Sequence, residues 1–327
     1  MLVAIAGGVG AARMLAALSS VTDPAGITAV VNTGDDTVLH GLHVSPDLDT
    51  VVYTLAGQIN PETGWGRVGE TWGAMADLRA YGGDRLAWFN LGDHDLGTHM
   101  FRTSRLAEGA TLSQVTAEIA ARWGLRVTVL PMSDDRVETR VTVEEGGASV
   151  ELGFQEYFVG RRHSVPVLAV TPRGVTAEPG RRAAAAAPGV LDAIGQADGV
   201  IICPSNPILS IGPVLATGGI GDAVARRRDA TVAVSPIIAG RALKGPADTI
   251  LADLGHEASV VGVARMWAPY AATLLVDTAD AGRAGEVEAA GMRCVVAPTI
   301  MSGPQEAAGL GRTVLDALEA AGAGPRR

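Results

Sequence analysis

The chain has 327 residues, of which 47% are hydrophobic and 19% are charged, a composition that supports a complete apolar core. Acidic residues outnumber lysine and arginine by 35 to 26, so nucleic acid is not an expected partner. No apolar stretch reaches the roughly 20 residues of a membrane span. The N-terminal run LVAIA suits a buried strand better than a signal peptide, and both cysteines lie in short apolar runs typical of core thiols. These features predict a cytoplasmic protein.

Short apolar runs alternate with helix-like stretches along most of the chain. This alternation predicts an α/β fold of the Rossmann-like type, with a mostly parallel sheet and helices on both of its faces. The predicted strands are Leu2–Ala6, Ile27–Val31, Val127–Leu130, Val165–Val170, Val200–Cys203, Thr231–Val234, Ala271–Val276 and Cys294–Ala297. Because ligands of such sheets bind beyond the carboxyl ends of the strands, polar motifs at those ends are the candidate site.

Residues 133–163 have a different pattern, in which polar and apolar side chains alternate with a period of two. Two such runs, Arg136–Val143 and Val150–Phe154, flank a turn that contains Gly146 and Gly147. The pattern predicts a β-hairpin in a small antiparallel β/α sub-domain, inserted into a core formed by residues 1–132 and 164–327. The C-terminal residues 322–327 are expected to be flexible.

Two glycine- and serine-containing loops follow predicted strands. The loop Gly7–Gly10 precedes a helical pattern, so its amides can approach a phosphate at a helix N-terminus, although a ligand-free turn explains the glycines equally well. The segment from Cys203 to Pro213 leaves its strand through Ser205 and Asn206, and its prolines end the strand. Small donors at that point suit a phosphate or a purine edge. A similar strand end at Ser235 indicates a neighbouring wall of the same crevice.

Four aspartates, Asp35, Asp36, Asp47 and Asp49, lie within fifteen residues, between a strand end and a helix start predicted at Pro46. Their oxygens can supply ligands for a hard divalent cation, and Mg²⁺ is the natural ion for diphosphate chemistry. The alternative is structural, because aspartates also favour helix N-termini and turns.

A second polar turn runs from Leu91 to His99, and Arg102 and Arg105 follow it one helical turn apart. Two arginines in this arrangement can bind a carboxylate or a phosphate through paired hydrogen bonds. A capped helix with a solvated basic face is the structural alternative.

Taken in chain order, the motifs resemble those of the 2-phospho-L-lactate transferase family, and especially those of its bacterial branch of phosphoenolpyruvate transferases. The resemblance covers nearly the whole chain. It rests on GGVG from Gly7, NTGDD from Asn32, SPDLDT from Ser45, GWG from Gly64, LGD from Leu91, PMSDD from Pro131, PSNP from Pro204, SIGP from Ser210 and SPII from Ser235. Each motif alone is weak, whereas the ordered set is specific.

The resemblance implies transfer of a phosphoenolpyruvyl or 2-phospholactyl group from a guanosine-diphosphate-linked donor to the deazaflavin Fo. The products would be a (dehydro-)coenzyme F420-0 and GMP, the metal would be Mg²⁺, and the assembly would be a homodimer. The runner-up is a regulatory protein of the gluconeogenesis-factor type, which binds nucleotide sugars without group transfer.

The resemblance also implies roles for particular residues. Asp49 aligns with the family's deazaflavin-binding aspartate, so Asp49→Ala is expected to abolish turnover and to leave the fold intact. Asn90 stands where the methanogen branch has a basic residue, and His94 stands where relatives usually carry arginine. The implied catalytic and metal-binding residues are Asp35, Asp36 and Asp49. Those implied for the deazaflavin are Asp49 and Asn90, and those for the nucleotide are Gly8, Gly10, Ser205, Asn206 and Ser210. Large aromatic side chains can stack on a flat ring, which makes Trp65, Trp72, Trp88 and Phe89 further candidates for the deazaflavin, and core packing is the structural alternative.

Overall fold

The computed structural model describes residues 1–322, so the segment predicted to be flexible, apart from Gly322, lies outside the described residues. The strands are β1 (Leu2–Ala6), β2 (Ile27–Val31), β3 (Thr37–Leu39), β4 (Leu42–Val44), β5 (Thr128–Pro131), β6 (Glu138–Glu145), β7 (Ala148–Gly153), β8 (Val167–Arg173), β9 (Gly199–Ile202), β10 (Thr231–Val234), β11 (Ile237–Ile238), β12 (Arg241–Ala242), β13 (Thr273–Val276) and β14 (Arg293–Val296).

The α-helices are α1 (Gly8–Ser19), α2 (Pro46–Leu55), α3 (Gly73–Gly82), α4 (Asp84–Ala87), α5 (Asp93–Ala107), α6 (Leu112–Arg122), α7 (Val190–Gln196), α8 (Gly212–Ala216), α9 (Ile220–Arg226), α10 (Ala247–Asp253), α11 (Val260–Trp267), α12 (Ala284–Ala289) and α13 (Pro304–Ala320). Short helical turns of other types occupy Pro24–Gly26, Glu156–Gly160, Pro207–Ile211, Arg228–Ala230 and Thr278–Arg283. None of these helices is long and apolar enough to cross a membrane, as far as residues 1–322 show.

The main sheet has seven strands in the order β14-β13-β10-β9-β1-β2-β5, and every neighbouring pair is parallel. From β1 the chain builds outward through β2 and β5, and from β9 it builds outward in the other direction. The order of the strands therefore reverses between β1 and β9. In doubly wound sheets this switch point opens a crevice at the carboxyl ends of the strands, and the α/β fold predicted from the sequence is confirmed.

The core consists of two apolar layers, one on each face of the main sheet. Alternate residues of β1 belong to opposite layers: Val3 and Ile5 pack on one face, and Leu2, Ala4 and Ala6 pack on the other. Helices such as α9 and α11 cover the first layer, whereas α1, α2 and α13 cover the second. The inner strands are largely apolar because both of their faces are buried, whereas the edge strands β5 and β14 have exposed positions.

A separate three-stranded antiparallel sheet, in the order β7-β6-β8, forms the insertion. The hairpin β6–β7 occurs where the sequence predicts it, and both turn glycines adopt positive φ, 61° at Gly146 and 80° at Gly147. The prediction that Val165–Val170 is a strand of the parallel sheet is wrong, because β8 pairs antiparallel with β6. The antiparallel sheet therefore continues to Arg173, beyond the boundary that the sequence suggests at residue 163.

Candidate functional site

A cleft of about 820 Å³ opens at the switch point of the main sheet. The loop that leaves β1, Gly7–Gly10, forms one part of its wall, and Pro204–Asn206, which follow β9, form the adjoining part. Ser235 and Pro236, at the end of β10, also line the cleft. The strand ends that the sequence singles out therefore lie around one cavity.

The glycine loop packs too tightly against its neighbours to accept larger residues. Gly7 is the N-cap of α1, and a Cβ atom at Gly10 would lie 2.1 Å from the carbonyl oxygen of Pro204. The hydroxyl of Ser205 donates a hydrogen bond to the carbonyl oxygen of Gly7. The residues predicted to bind the nucleotide, Gly8, Gly10, Ser205, Asn206 and Ser210, all line the cleft. Because the first N–H groups of a helix have no partner within the helix, the first turn of α1 can present amides to an anion in the cleft, although the backbone of Gly8 already hydrogen-bonds Asp47.

Two of the four aspartates face the cleft, namely Asp35 and Asp47. Asn32 holds Asp47 by donating a hydrogen bond of 3.0 Å to its Oδ2 atom. Burial raises the pKa of Asp47 to about 6, and burial together with the charge of Asp47 raises the pKa of Asp35. The Oδ1 atom of Asp35 is buried and has no hydrogen-bond partner. These carboxylates lack a compensating cation within the described part of the chain.

The other two aspartates, Asp36 and Asp49, do not line the cleft. Asp49 pairs with the buried Arg102, whose Nη1 and Nη2 atoms donate to the two carboxylate oxygens, Nη1 at 3.1 Å. Asp36 lines a second cavity of about 150 Å³ together with Arg102, and its Oδ2 atom accepts a 2.6 Å hydrogen bond from Ser45. Burial raises the pKa of Asp36 to about 8. The predicted cluster of Asp35, Asp36 and Asp49 is thus divided between two environments.

Two groups of side chains are candidates for holding a metal. In residues 1–322, ligand atoms of Asp49, Asp95 and His99 lie within 4.8 Å of one another, but Arg102 already neutralises Asp49. Tyr53 also donates a 2.6 Å hydrogen bond to Asp95. Asp35 and Asp47 fit a divalent cation better, because both line the cleft, neither has a cationic partner in residues 1–322, and the Oδ1 atom of Asp35 is buried without a hydrogen-bond partner.

Arg102 and Arg105, which the sequence offers as ligand-binding arginines, already pair with carboxylates of the protein. Arg102 pairs with Asp49, and Arg105 pairs with Glu108 and Glu118. Neither arginine lines the cleft.

Aromatic side chains form a further part of the cleft wall. The predicted deazaflavin residues Trp65 and Asn90 line it, as do Trp88 and Phe89, whose rings meet edge to face with centroids 5.6 Å apart. The sequence did not indicate Phe154 and Phe158, which the insertion contributes as a stacked pair. It also did not single out the segment from Thr299 to Ser302, which follows β14 and lines the same cleft. Its position after the last predicted strand could have indicated that it lines the cleft, because ligands of parallel sheets bind beyond the strand ends.

Together, the fold and the cleft define a doubly wound α/β protein whose candidate site lies at the switch point of the sheet. The family described as 2-phospho-L-lactate transferase CofD matches residues 2–295. The chain belongs to this family and is a transferase. It is similar to the phosphoenolpyruvate transferase of Streptomyces griseus, with 47% identity over 322 residues that cover 97% of this chain and 98% of the relative. The phosphoenolpyruvate transferase of Mycolicibacterium smegmatis is 40% identical, with coverage of 95% and 97%.

A solved structure of a UPF0052-family protein from Bacillus halodurans shares the fold. It superposes with a TM-score of 0.58 over 96% of this chain and 98% of that chain, at 16% sequence identity. At this identity the likeness concerns the fold alone.

Proposed function

We propose that the protein transfers a phosphoenolpyruvyl or 2-phospholactyl group from a guanosine-diphosphate-linked donor to the ribityl hydroxyl of the deazaflavin Fo. The products are (dehydro-)coenzyme F420-0 and GMP. The observation that carries the proposal is the composition of the cleft, which combines a helix N-terminal loop, two uncompensated carboxylates and an aromatic wall. These three features suit a diphosphate, a divalent cation and a flat ring system, respectively.

The nucleotide binds where β1 and β9 end. The first turn of α1 offers the backbone amide of Gly10 to the phosphates, whereas the backbone of Gly8 already hydrogen-bonds Asp47. Ser210 and the Nδ2 atom of Asn206 contribute polar groups beside it, while the Oδ1 atom of Asn206 accepts hydrogen bonds from the amides of Ile208 and Leu209. Ser205 acts differently, because its hydroxyl is already bonded to Gly7 and fixes the loop.

Asp35 and Asp47 would hold Mg²⁺, which would neutralise charge on the transferred phosphate. We assign Asp36 and Asp49 a positioning role, since both lie beside Arg102 and outside the cleft lining. Asp47 and Asp49 belong to the first turn of α2, so the Asp49–Arg102 pair fixes the end of the helix that carries Asp47.

In the reaction, the oxygen of the ribityl hydroxyl attacks the phosphorus that carries the three-carbon acid. A new P–O bond forms, the P–O bond to GMP breaks, and the hydroxyl proton passes to a carboxylate of the cleft. Such a displacement depends chiefly on positioning and on neutralisation of charge. Asp35, Asp47 and the first turn of α1 line one cavity, so the amides would position the phosphates and the cation held by the two carboxylates would neutralise their charge.

A binding experiment tests the acceptor. Fo is titrated against the protein with GDP and Mg²⁺ present, and its fluorescence is followed. Trp65→Ala should weaken Fo binding, whereas Trp72→Ala should not, because Trp65 lines the cleft and Trp72 does not. The two side chains are similarly exposed, at 48% and 41%, which makes them a matched pair. If Fo at high concentration leaves the signal of the wild-type protein unchanged, the proposal fails.

A further inference from the structure

Four charged side chains line the cleft within the described residues, and two of them are acidic and two are basic. Asp35 and Asp47 have no cationic partner, and Arg13 and Lys244 have no carboxylate within 4.0 Å in residues 1–322. Opposite charges that share a cavity without pairing are complementary to a ligand that carries both signs, such as a metal-bound polyanion. The acidic pair suits the metal, which leaves the two cations for the anion.

Lys244 lies close to the loop that would bind phosphate. A Cβ atom added at Gly64 would lie 3.4 Å from the Nζ atom of Lys244. It would also lie 3.2 Å from a side-chain carbon of Val9, which belongs to the first turn of α1. The Nζ atom also donates to the carbonyl oxygen of Thr63 at 3.4 Å. Because an ammonium group has three N–H donors, two remain for a ligand.

Lys244 is also the single lysine among the 26 basic residues of the chain, and all the others are arginine. Arginine suits planar, paired hydrogen bonds, whereas lysine is a compact charge on a flexible stem. The segment from Ala242 to Ala247 lines the cleft, so Lys244 reaches it from a continuous stretch of wall.

We propose that Lys244 binds an anionic group of the donor, either its diphosphate or its carboxylate, and so determines donor affinity. This inference rests on the proposed function, because it takes the donor to be a guanosine-diphosphate-linked acid. The residue acts by contact with the donor, and its bond to Thr63 presents the ammonium group beside Val9 and the start of α1.

The single lysine permits a direct test that does not depend on turnover. Reductive methylation with ¹³C-formaldehyde labels only Lys244 and the α-amino group of Met1, and the label preserves both charges. The Lys244→Arg variant assigns the two resonances. The α-amino group pairs with Asp198 and serves as an internal control. Addition of GDP with Mg²⁺, or of the intact donor, should shift the Lys244 resonance alone, and an unchanged resonance at saturation with both ligands would overturn the inference.

Affinities then identify the anionic group. Lys244→Met should weaken binding by about tenfold or more, because a charge-assisted hydrogen bond is lost, and Lys244→Arg should retain part of the affinity. Weaker binding of both GDP and the intact donor assigns Lys244 to the diphosphate, and weaker binding of the donor alone assigns it to the carboxylate. Unchanged affinities in a variant with the wild-type melting temperature would refute the inference.

The two proposals fail in different ways. A wild-type protein that is active, with Lys244 variants that bind and react normally, contradicts only the role of Lys244. A wild-type protein whose Lys244 resonance responds to GDP but which never modifies Fo contradicts only the proposed function. A wild-type protein that binds neither GDP nor the donor contradicts both.

Discussion

Asp47 and Asp49 are two residues apart in the first turn of α2, yet they have different surroundings. Residues at this spacing differ by about 200° around a helix, so they cannot share a ligand on one face. Asp47 faces the cleft and Asp49 faces Arg102. The sequence shows that four aspartates lie close together in the chain, but it does not show that Asp47 and Asp49 face different surroundings. Arg102, the partner of Asp49, lies 53 residues away in the chain.

The pairing of Asp49 with Arg102 changes the outcome expected for the Asp49→Ala variant. Removing one member of a buried ion pair leaves an uncompensated charge, which costs about 3–5 kcal/mol. We therefore expect a large loss of stability in urea unfolding, together with the loss of activity. The double variant Asp49→Leu/Arg102→Met should recover much of the stability, because no unpaired charge remains. Wild-type stability of Asp49→Ala would contradict the buried pairing.

The raised pKa values of the cleft carboxylates predict that Mg²⁺ binding depends on pH. A metal must displace the protons on its ligands, and the pKa of Asp47 is raised to about 6. This group alone makes the affinity for Mg²⁺ about tenfold weaker at pH 5 than at pH 7, and Asp35 should weaken it further. Calorimetric titration at both values of pH measures the effect. Equal affinities would show that Asp47 is not a ligand.

At the cleft, helix α1 and the loop after β9 are in close backbone contact. The first turn of α1 lies directly against the loop after β9, so the two halves of the doubly wound sheet meet there. The glycines of the loop indicate this approach in the sequence, since only glycine lacks the Cβ atom that would clash. The glycines contact the loop after β9 because β9 lies next to β1 in the sheet, and no local sequence pattern predicts that strand order.

Two helical glycines offer a matched comparison of this contact. A Cβ atom at Gly10 would lie 2.1 Å from the carbonyl oxygen of Pro204, whereas one at Gly97 in α5 would meet no atom within 4 Å. Gly10→Ala should cost roughly 1–3 kcal/mol and weaken GDP binding, because the loop must move. Gly97→Ala should instead stabilise by about 0.5–1 kcal/mol. Thermal unfolding and GDP titration measure both, and a Gly10→Ala variant that binds GDP normally would contradict the predicted packing.

The strand β8 shows where a sequence pattern becomes ambiguous. The run Val165–Val170 has the length and apolar content of the strands in the parallel sheet, and it lies between the hairpin and the next helix. In the structure it forms the third strand of the insertion, and Val167 is the one fully buried residue of β8. Periodicity assigns a residue run to a strand, but the partner of that strand depends on contacts distant in sequence.

At the scale of the whole molecule, the cleft lies between the α/β core and the insertion. Gln155 donates a 3.3 Å hydrogen bond to the carbonyl oxygen of Asp35, and the amide of Thr139 donates to the carbonyl oxygen of Gly34. The insertion therefore holds the loop that contains Asp35, and the segment that follows β7 contributes Phe154 and Phe158 to the cleft. The sequence predicted the hairpin but not its contact with this loop.

This architecture predicts that a change in the insertion affects one substrate and not the other. Phe158→Leu removes an aromatic surface and keeps most of the apolar volume, so binding of Fo should weaken by roughly 2- to 12-fold, as expected for a lost aromatic contact. Binding of GDP should not change, because its candidate residues follow β1 and β9. A loss of affinity for GDP equal to the loss for Fo would contradict this separation.

The most direct test of the central claim is the stoichiometry of the reaction. The protein is incubated with Fo, Mg²⁺ and each guanosine-diphosphate-linked three-carbon acid, and the deazaflavin product and GMP are quantified by mass spectrometry. We expect equal amounts of GMP and of Fo carrying the phosphate-linked acid with at least one donor, and no product from Asp47→Asn. Binding of both substrates without a product, as expected for a regulator, would contradict the account, as would GMP released without modification of Fo.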